Sequence, residues 1–349
     1  AGPWSGGPLA GLLPGSPRVR GREGTRSVAD TVILTSAVGY DPARIEPFLH
    51  SLRRSGYRGD LVLFADAALI AGLREQSKRL RITLVRVPPW RWPSWSPLWG
   101  RSRQLLWRCL RVSSRARRAG LVPEASVRWL LGLVYFPIEA RFARYRSFLD
   151  ASPYARVLIC DARDVLFQHD PFTDLPTDGL AVGLETDRYT IATEPHNAAW
   201  VLRAFGPEML GRIGHHRVSC AGVTYGDAAA MQRYLSLMAS EVSRISPRQI
   251  GDATGFDQGV HNVLLWTGRL GTVQMLPTLE STVATLNAVT DEEIRFSAEG
   301  RCLNRDDSEP SIVHQYDRVP SLRFALAERL AGVEPTASEP GQVTGPSRT

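Results

Sequence analysis

Lysine is almost missing from this chain. Lys78 is the only one among 42 basic residues, so the net charge of +7 is carried by arginine. Such one-sidedness can reflect coding bias, and the distribution of charge says more than its size. No acidic residue occurs between Glu75 and Glu124. Long apolar runs are missing as well. The longest, Trp129 to Ile138, falls far short of the roughly 18 residues that a membrane span requires. No signal-peptide pattern opens the sequence. Cysteine is scarce: Cys109, Cys160, Cys220 and Cys302 form no CxxC pair, which argues against a zinc site and against a disulfide framework. Cys160 lies in an apolar run, where a thiol behaves as a small hydrophobe. That fits a reducing, cytoplasmic compartment. No internal repeat is present, so a solenoid is not expected.

What is there reads as an ordinary globular chain. Its 349 residues allow one large domain or two small ones with a sizeable core. Residues 1–28 are rich in Gly, Pro, Ser and Arg and are expected to be disordered, as is the tail over 332–349. The stretch 29–331 between them reads as a single α/β domain. Thr31 to Ala37, Asp60 to Asp66 and Ile82 to Val87 are predicted strands. Helices are predicted over 43–55 and over Ala67 to Leu80. This alternation implies a mostly parallel, Rossmann-like sheet flanked by helices. Further helices are expected over 127–150, 197–205, 228–243 and from Phe256. Leu180 to Leu184 is another strand, and 271–314 alternates strands and turns.

Residues 88–126 break the alternation and read as an insertion. Trp90, Trp92, Trp95, Trp99 and Trp107 are interleaved with arginines such as Arg101, Arg108, Arg111 and Arg115. The pattern suits an amphipathic segment packed on the domain surface. It also suits an anionic membrane surface, where indoles sit at headgroup level. Single-stranded nucleic acid ranks last, because no recognised nucleic-acid motif accompanies it.

The centre of the sequence is Val157-Leu158-Ile159-Cys160-Asp161-Ala162-Arg163-Asp164. A short apolar, partly β-branched run reads as a buried strand. Two carboxylates follow where that strand leaves the sheet, and ligands of open α/β sheets bind there. Hard oxygens so placed suit Mg²⁺ or Mn²⁺ and the phosphates they carry. Alternatively, Asp161 caps the next turn and Asp164 pairs with Arg163. Downstream stand the small-residue segment Ser219 to Gly226, whose Gly222 is expected to line a site by its backbone, then Asp257-Gln258 and His314. Taken singly, Asp257 is as well read as a helix cap and His314 as a core histidine.

In this order the elements resemble the metal-dependent, nucleotide-sugar glycosyltransferases of GT-A fold. The resemblance runs from Thr31 to Leu326. It is carried by Asp161-Ala162-Arg163-Asp164-Val165-Leu166-Phe167-Gln168-His169-Asp170-Pro171-Phe172, by Asp257-Gln258-Gly259-Val260-His261-Asn262 and by Val313-His314-Gln315-Tyr316-Asp317. Pro137 to Tyr145 and Asn197-Ala198-Ala199-Trp200 are similar to the same branch. Where the common pattern has Asp-x-Asp, Arg163 stands in the second acidic position, which moves the second metal contact to Asp164.

The resemblance implies a divalent ion, Mn²⁺ or Mg²⁺, held by Asp161, Asp164 and His314. It implies a donor site drawing on Thr35, Ser36, Ala37, Asp66, Arg141, Tyr145 and Gly222. It places Asp257 and Gln258 at the reacting sugar, and a glycan, lipid or protein as acceptor, with retention at the anomeric carbon. Two other readings compete. A haloacid dehalogenase-type phosphatase also has aspartates after a strand, but Arg163 occupies the place of its second acid. A non-enzymatic basic module would bind membrane or nucleic acid through the Trp/Arg stretch.

Overall fold

The computed structural model describes residues 30–87, 97–251 and 255–319, together with Leu322. Both termini that the composition marks as disordered lie outside the described residues, as do Trp90, Trp92 and Trp95.

The first half of the chain alternates strand and helix. It runs β1 (Thr31–Ser36), α1 (Pro42–Arg54), β2 (Asp60–Ala65), α2 (Ala67–Gly72), α3 (Arg74–Leu80) and β3 (Ile82–Arg86). Three helices follow in succession, α4 (Pro97–Arg118), α5 (Glu124–Val134) and α6 (Pro137–Ala151). Next come β4 (Arg156–Asp161), β5 (Val165–Phe167), α7 (Pro171–Asp174), β6 (Leu180–Leu184), α8 (Pro195–Phe205) and α9 (Pro207–Ile213). The last part holds β7 (Ser219–Asp227), α10 (Ala228–Arg244), α11 (Pro247–Ile250), α12 (Phe256–Trp266), β8 (Val273–Pro277), β9 (Val283–Thr285), β10 (Arg295–Phe296), β11 (Cys302–Leu303) and β12 (Ile312–His314).

Seven strands form the main sheet in the order β3-β2-β1-β4-β7-β6-β8. The chain steps outward from β1 to β3, then returns and places β4 on the other side of β1. The direction of winding therefore reverses between β1 and β4, and a crevice opens at their carboxyl ends. Side chains of these strands alternate between two buried faces. Val32, Leu34, Val157 and Ile159 pack with α6, α10 and α12 through Phe142, Tyr234 and Val260. Ile33, Leu158 and Cys160 pack with α1 through Ile45, Phe48 and Leu52. Both faces are covered, so the strands read as continuous apolar runs. A smaller sheet, β5-β12-β9, packs its own cluster around Leu166, Leu286 and Val313.

The sheet is mostly parallel, as expected, with β7 alone running antiparallel to both its neighbours, β4 and β6. The small-residue segment 219–226 is that strand. The structure departs from the sequence-based expectation in two helices. The helix expected over 67–80 divides at Leu73, which is fully buried and leaves helical geometry at φ −95° and ψ 1°. Gly72 just before it lies against α1, where an added Cβ would come within 2.7 Å of Pro42. The helix expected over 127–150 divides ahead of Pro137. A residue before proline avoids helical geometry; Phe136 is extended, and the proline opens α6. The Trp/Arg stretch supplies α4, whose Leu110 belongs to the main core.

Candidate functional site

The site is built by one turn and one strand register. Parallel pairing sets Ser36 at the end of β1 opposite Asp161 at the end of β4. Thr35 Oγ1 donates to the carbonyl of Cys160 at 2.7 Å and ties the two strand ends together. The chain then turns through Ala162 and Arg163, and Asp164 leads into β5. That strand pairs with β12 so that Val165 faces His314. Residues about 150 positions apart in sequence thus meet: one ligand atom each from Asp161, Asp164 and His314 lies within 4.8 Å of the others. Gln315 N donates to the Asp164 carbonyl at 2.7 Å and fixes the turn against the end of β12.

The environment of this trio fits a cation. His314 is fully buried, and neither ring nitrogen has a hydrogen-bond partner. A buried polar atom without a partner is rare and calls for an explanation. Nε2 faces the acids, 4.0 Å from Asp164 Oδ1. Gly222 in β7 passes beside them. A Cβ there would stand 2.6 Å from His314 Nε2 and 2.7 Å from Asp161 Oδ2. The strand gives up a side chain where the three ligand atoms converge, and the trio can hold a metal ion.

Each acid of the pair is shared with an arginine. Arg141 on α6 spans two carboxylates, donating from Nη1 to Asp161 and from Nη2 to Asp257 Oδ2 at 3.0 Å. Burial disfavours its charge, but Asp161 and Asp257 outweigh that and hold it firmly protonated. Burial pushes Asp257 up to about 6 despite the arginine. Arg163 Nη2 likewise lies 3.1 Å from both Asp164 and Asp317. Burial also raises Asp164, with Asp161 adding to the effect while His314 and Arg163 oppose it. The N-cap of α12 is Gly255, which excludes Asp257 from the capping position. Glu139 on α6 accepts from Gly255 N at 3.0 Å, so α6 holds both the start of α12 and its first acid.

Asp161 and Asp164 open into a cleft of about 420 Å³, within the range of small-molecule sites. Ser36, Val38 and Tyr40 form one side, and Trp200, Asn197 and Gln258 another. Gln258 is held on both ends of its amide. It accepts from Cys220 Sγ at 3.2 Å and donates to Asn197 Oδ1 at 3.2 Å and Glu185 Oε1 at 3.4 Å. Asn287 Nδ2 donates to the other Glu185 oxygen at 2.6 Å. Burial pushes Glu185 up to about 7, and the Asn287 hydrogen bond limits the rise.

No model of a known protein family matches this chain. No curated protein matches it either.

Of the residues singled out in the sequence, Asp161, Asp164, His314, Gly222, Arg141, Asp257, Gln258 and Ser36 come together. Asp257, Gly222 and His314 sit against residues that line the cleft without lining it themselves, and four more are committed elsewhere. Thr35 serves the β1–β4 tie, and Ala37 is fully buried with its N–H on the Phe64 carbonyl. Tyr145 is buried under the site against Phe64. Asp66 caps α2, accepting from Ala68 N and Leu69 N at 3.0 Å, and from Gly39 N at 2.6 Å. Those backbone hydrogen bonds outweigh its slight burial and lower its pKa. Glu185, Asn287 and Tyr40 were missed. Each stands on a connection whose place depends on the assembled sheet, and no spacing in the sequence marks it.

Proposed function

We propose that this protein is a divalent-metal-dependent glycosyltransferase of GT-A fold, moving a sugar from a nucleoside diphosphate to an acceptor hydroxyl. The observation that carries this reading is the meeting of Asp161, Asp164 and His314 beside Gly222, where the sheet reverses its winding. Carboxylate oxygens with one imidazole suit Mn²⁺ or Mg²⁺. Bound there, such an ion would act as a Lewis acid toward the negative charge that collects on a leaving diphosphate.

The protein's own groups supply the rest. Ser36, Val38 and Tyr40 line the side of the cleft that receives the nucleoside. Arg141 keeps a fixed charge between Asp161 and Asp257 and so sets the distance from the metal ligands to the reacting sugar. The anomeric carbon passes through an oxocarbenium-like state. Asp257, held in place by Arg141 and the start of α12, offers a preorganised carboxylate to that positive charge. Gln258, Asn197 and Glu185 present hydrogen-bonding groups suited to sugar hydroxyls. Retention at the anomeric carbon is the expected outcome, by likeness of Asp257-Gln258 to the corresponding pair of retaining enzymes. The acceptor is a hydroxyl of a glycan, lipid or protein.

Titration calorimetry with nucleoside diphosphates tests the reading. Binding is expected with Mn²⁺ and is expected to vanish in EDTA or in Asp161→Asn. Equal affinity with and without the metal overturns it. Thermal shift with a panel of nucleotide sugars then identifies the donor, because a ligand of the native state raises the melting temperature.

A further inference from the structure

Helix α4 carries a face that the transfer reading does not use. Its inner side is committed to the fold. Leu110 is fully buried, and Arg103 donates to the carbonyls of Val134 at 2.8 Å and Gly251 at 3.1 Å. Its outer side is different. Arg101, Arg108 and Arg115 are exposed and stand seven residues apart. Leu105 and Val112 fall between them, also seven apart, and are 61% and 64% exposed. A seven-residue spacing drifts by only about 20° on a helix, so all five side chains share one face. The alternation Arg-Leu-Arg-Val-Arg is continuous over this length. Cys109 lies beside it and is the one exposed cysteine of the four.

We infer that this stripe is a docking surface for an anionic lipid membrane, with α4 lying in the plane of the headgroups. The charge is one-sided, since no acid occurs from Glu75 to Glu124. Near an anionic leaflet each arginine adds to the attraction. The arginine stems cover apolar surface while the guanidinium groups reach phosphate. Leu105 and Val112 are placed to enter the acyl boundary between them. A protein partner fits less well. A stable interface hides on the order of 800 Å² per partner with an apolar centre, and this stripe is one helix wide with arginine at every second contact. A second copy of the helix would set arginine against arginine. Arg111, by contrast, turns away from the stripe, with its guanidinium 5.8 Å from the Trp107 ring centroid. It is therefore not part of the lipid contact.

Co-sedimentation of the full chain with phosphatidylcholine vesicles, with and without phosphatidylserine, tests the inference. Binding is expected only with phosphatidylserine and is expected to weaken as salt is raised. The triple variant Arg101→Gln/Arg108→Gln/Arg115→Gln should partition about a hundredfold more weakly, since each arginine contributes separately near the surface. The double variant Leu105→Ser/Val112→Ser should bind more weakly at every salt concentration. An environment-sensitive dye on Cys109 should shift to the blue on vesicles and stay unshifted with single-stranded oligonucleotide. Unchanged melting temperatures certify that the variants fold, and unchanged nucleoside diphosphate binding separates this result from the transfer reading. Absence of parent binding to phosphatidylserine vesicles overturns the inference. So does equal binding by the triple variant, or a dye response to oligonucleotide in place of lipid.

Discussion

Replacing Arg141 by methionine is expected to destabilise the protein in a way that depends on pH. Arg141 is 7% exposed and Asp257 is 2% exposed. Removing the cation leaves a buried carboxylate without its partner, a change that costs ~3–5 kcal/mol if the charge is kept. Protonation offers a smaller cost. Asp257 already titrates at about 6 in the parent because of burial, and loss of Arg141 raises it further. Above pH 6 the folded variant then holds a proton that both the folded parent and the unfolded chain have released. A group whose folded pKa is raised loses stability as pH rises. The deficit therefore grows by ~1.4 kcal/mol per pH unit above about 6, reaching ~3 kcal/mol at pH 8 and leaving only the packing loss at pH 5. Asp161, with its side chain 31% exposed, is screened by water and adds little. Urea unfolding of the parent, Arg141→Met, Asp257→Asn and the double variant from pH 5 to pH 8 measures this. The double variant should show a smaller slope, the remainder coming from Glu139, which burial raises to about 8 and which also loses the opposing influence of Arg141. A deficit in Arg141→Met that is equal at pH 5 and pH 8 would refute the electrostatic account and leave only packing.

Gly222→Ala should abolish metal-dependent nucleoside diphosphate binding in calorimetry, because its Cβ would crowd His314 and Asp161; the accompanying loss of stability should stay within the ~1–3 kcal/mol typical of overpacking. Unchanged binding in a folded variant would remove these residues from the metal site. Asp257→Asn should lower kcat about a hundredfold, the scale of losing one preorganised electrostatic group, with donor affinity nearly intact. Normal turnover would make Asp257 a partner of Arg141 and nothing more.

The chemistry-bearing residues were legible where the chain itself announces them. Apolar runs that end in an acid marked β2 and β4, and Asp161 and Asp164 lie where the second of these ends. The same cue misleads at Asp66, which ends a similar run yet caps the next helix. A carboxylate after a strand satisfies free amides as readily as it binds a ligand, and only the position of the strand in the sheet separates the two. β2 lies one strand away from the reversal of winding, and β4 lies at it. Helix breaks were legible in principle at Pro137, where proline chemistry acts locally. The break at Leu73 depends on burial against α1, which local sequence does not carry. Glu185 and Asn287 meet across 102 positions through strand pairing, and no local pattern encodes that distance.

Arg163 gains a physical role from the assembled site. Asp161 is shared through Arg141 with Asp257, and Asp164 is shared through Arg163 with Asp317. The two inner acids are the ones grouped with His314. Each arginine thus bridges one inner acid to a second carboxylate. The six side chains carry four negative and two positive charges when all are ionised. Asp164 and Asp257 are buried, where uncompensated negative charge is costly, and the upward push of burial on both expresses that cost. A divalent ion beside His314 would cancel the excess, whereas a monovalent one would leave half of it. Arg163 pairs with Asp164 and ties it to Asp317.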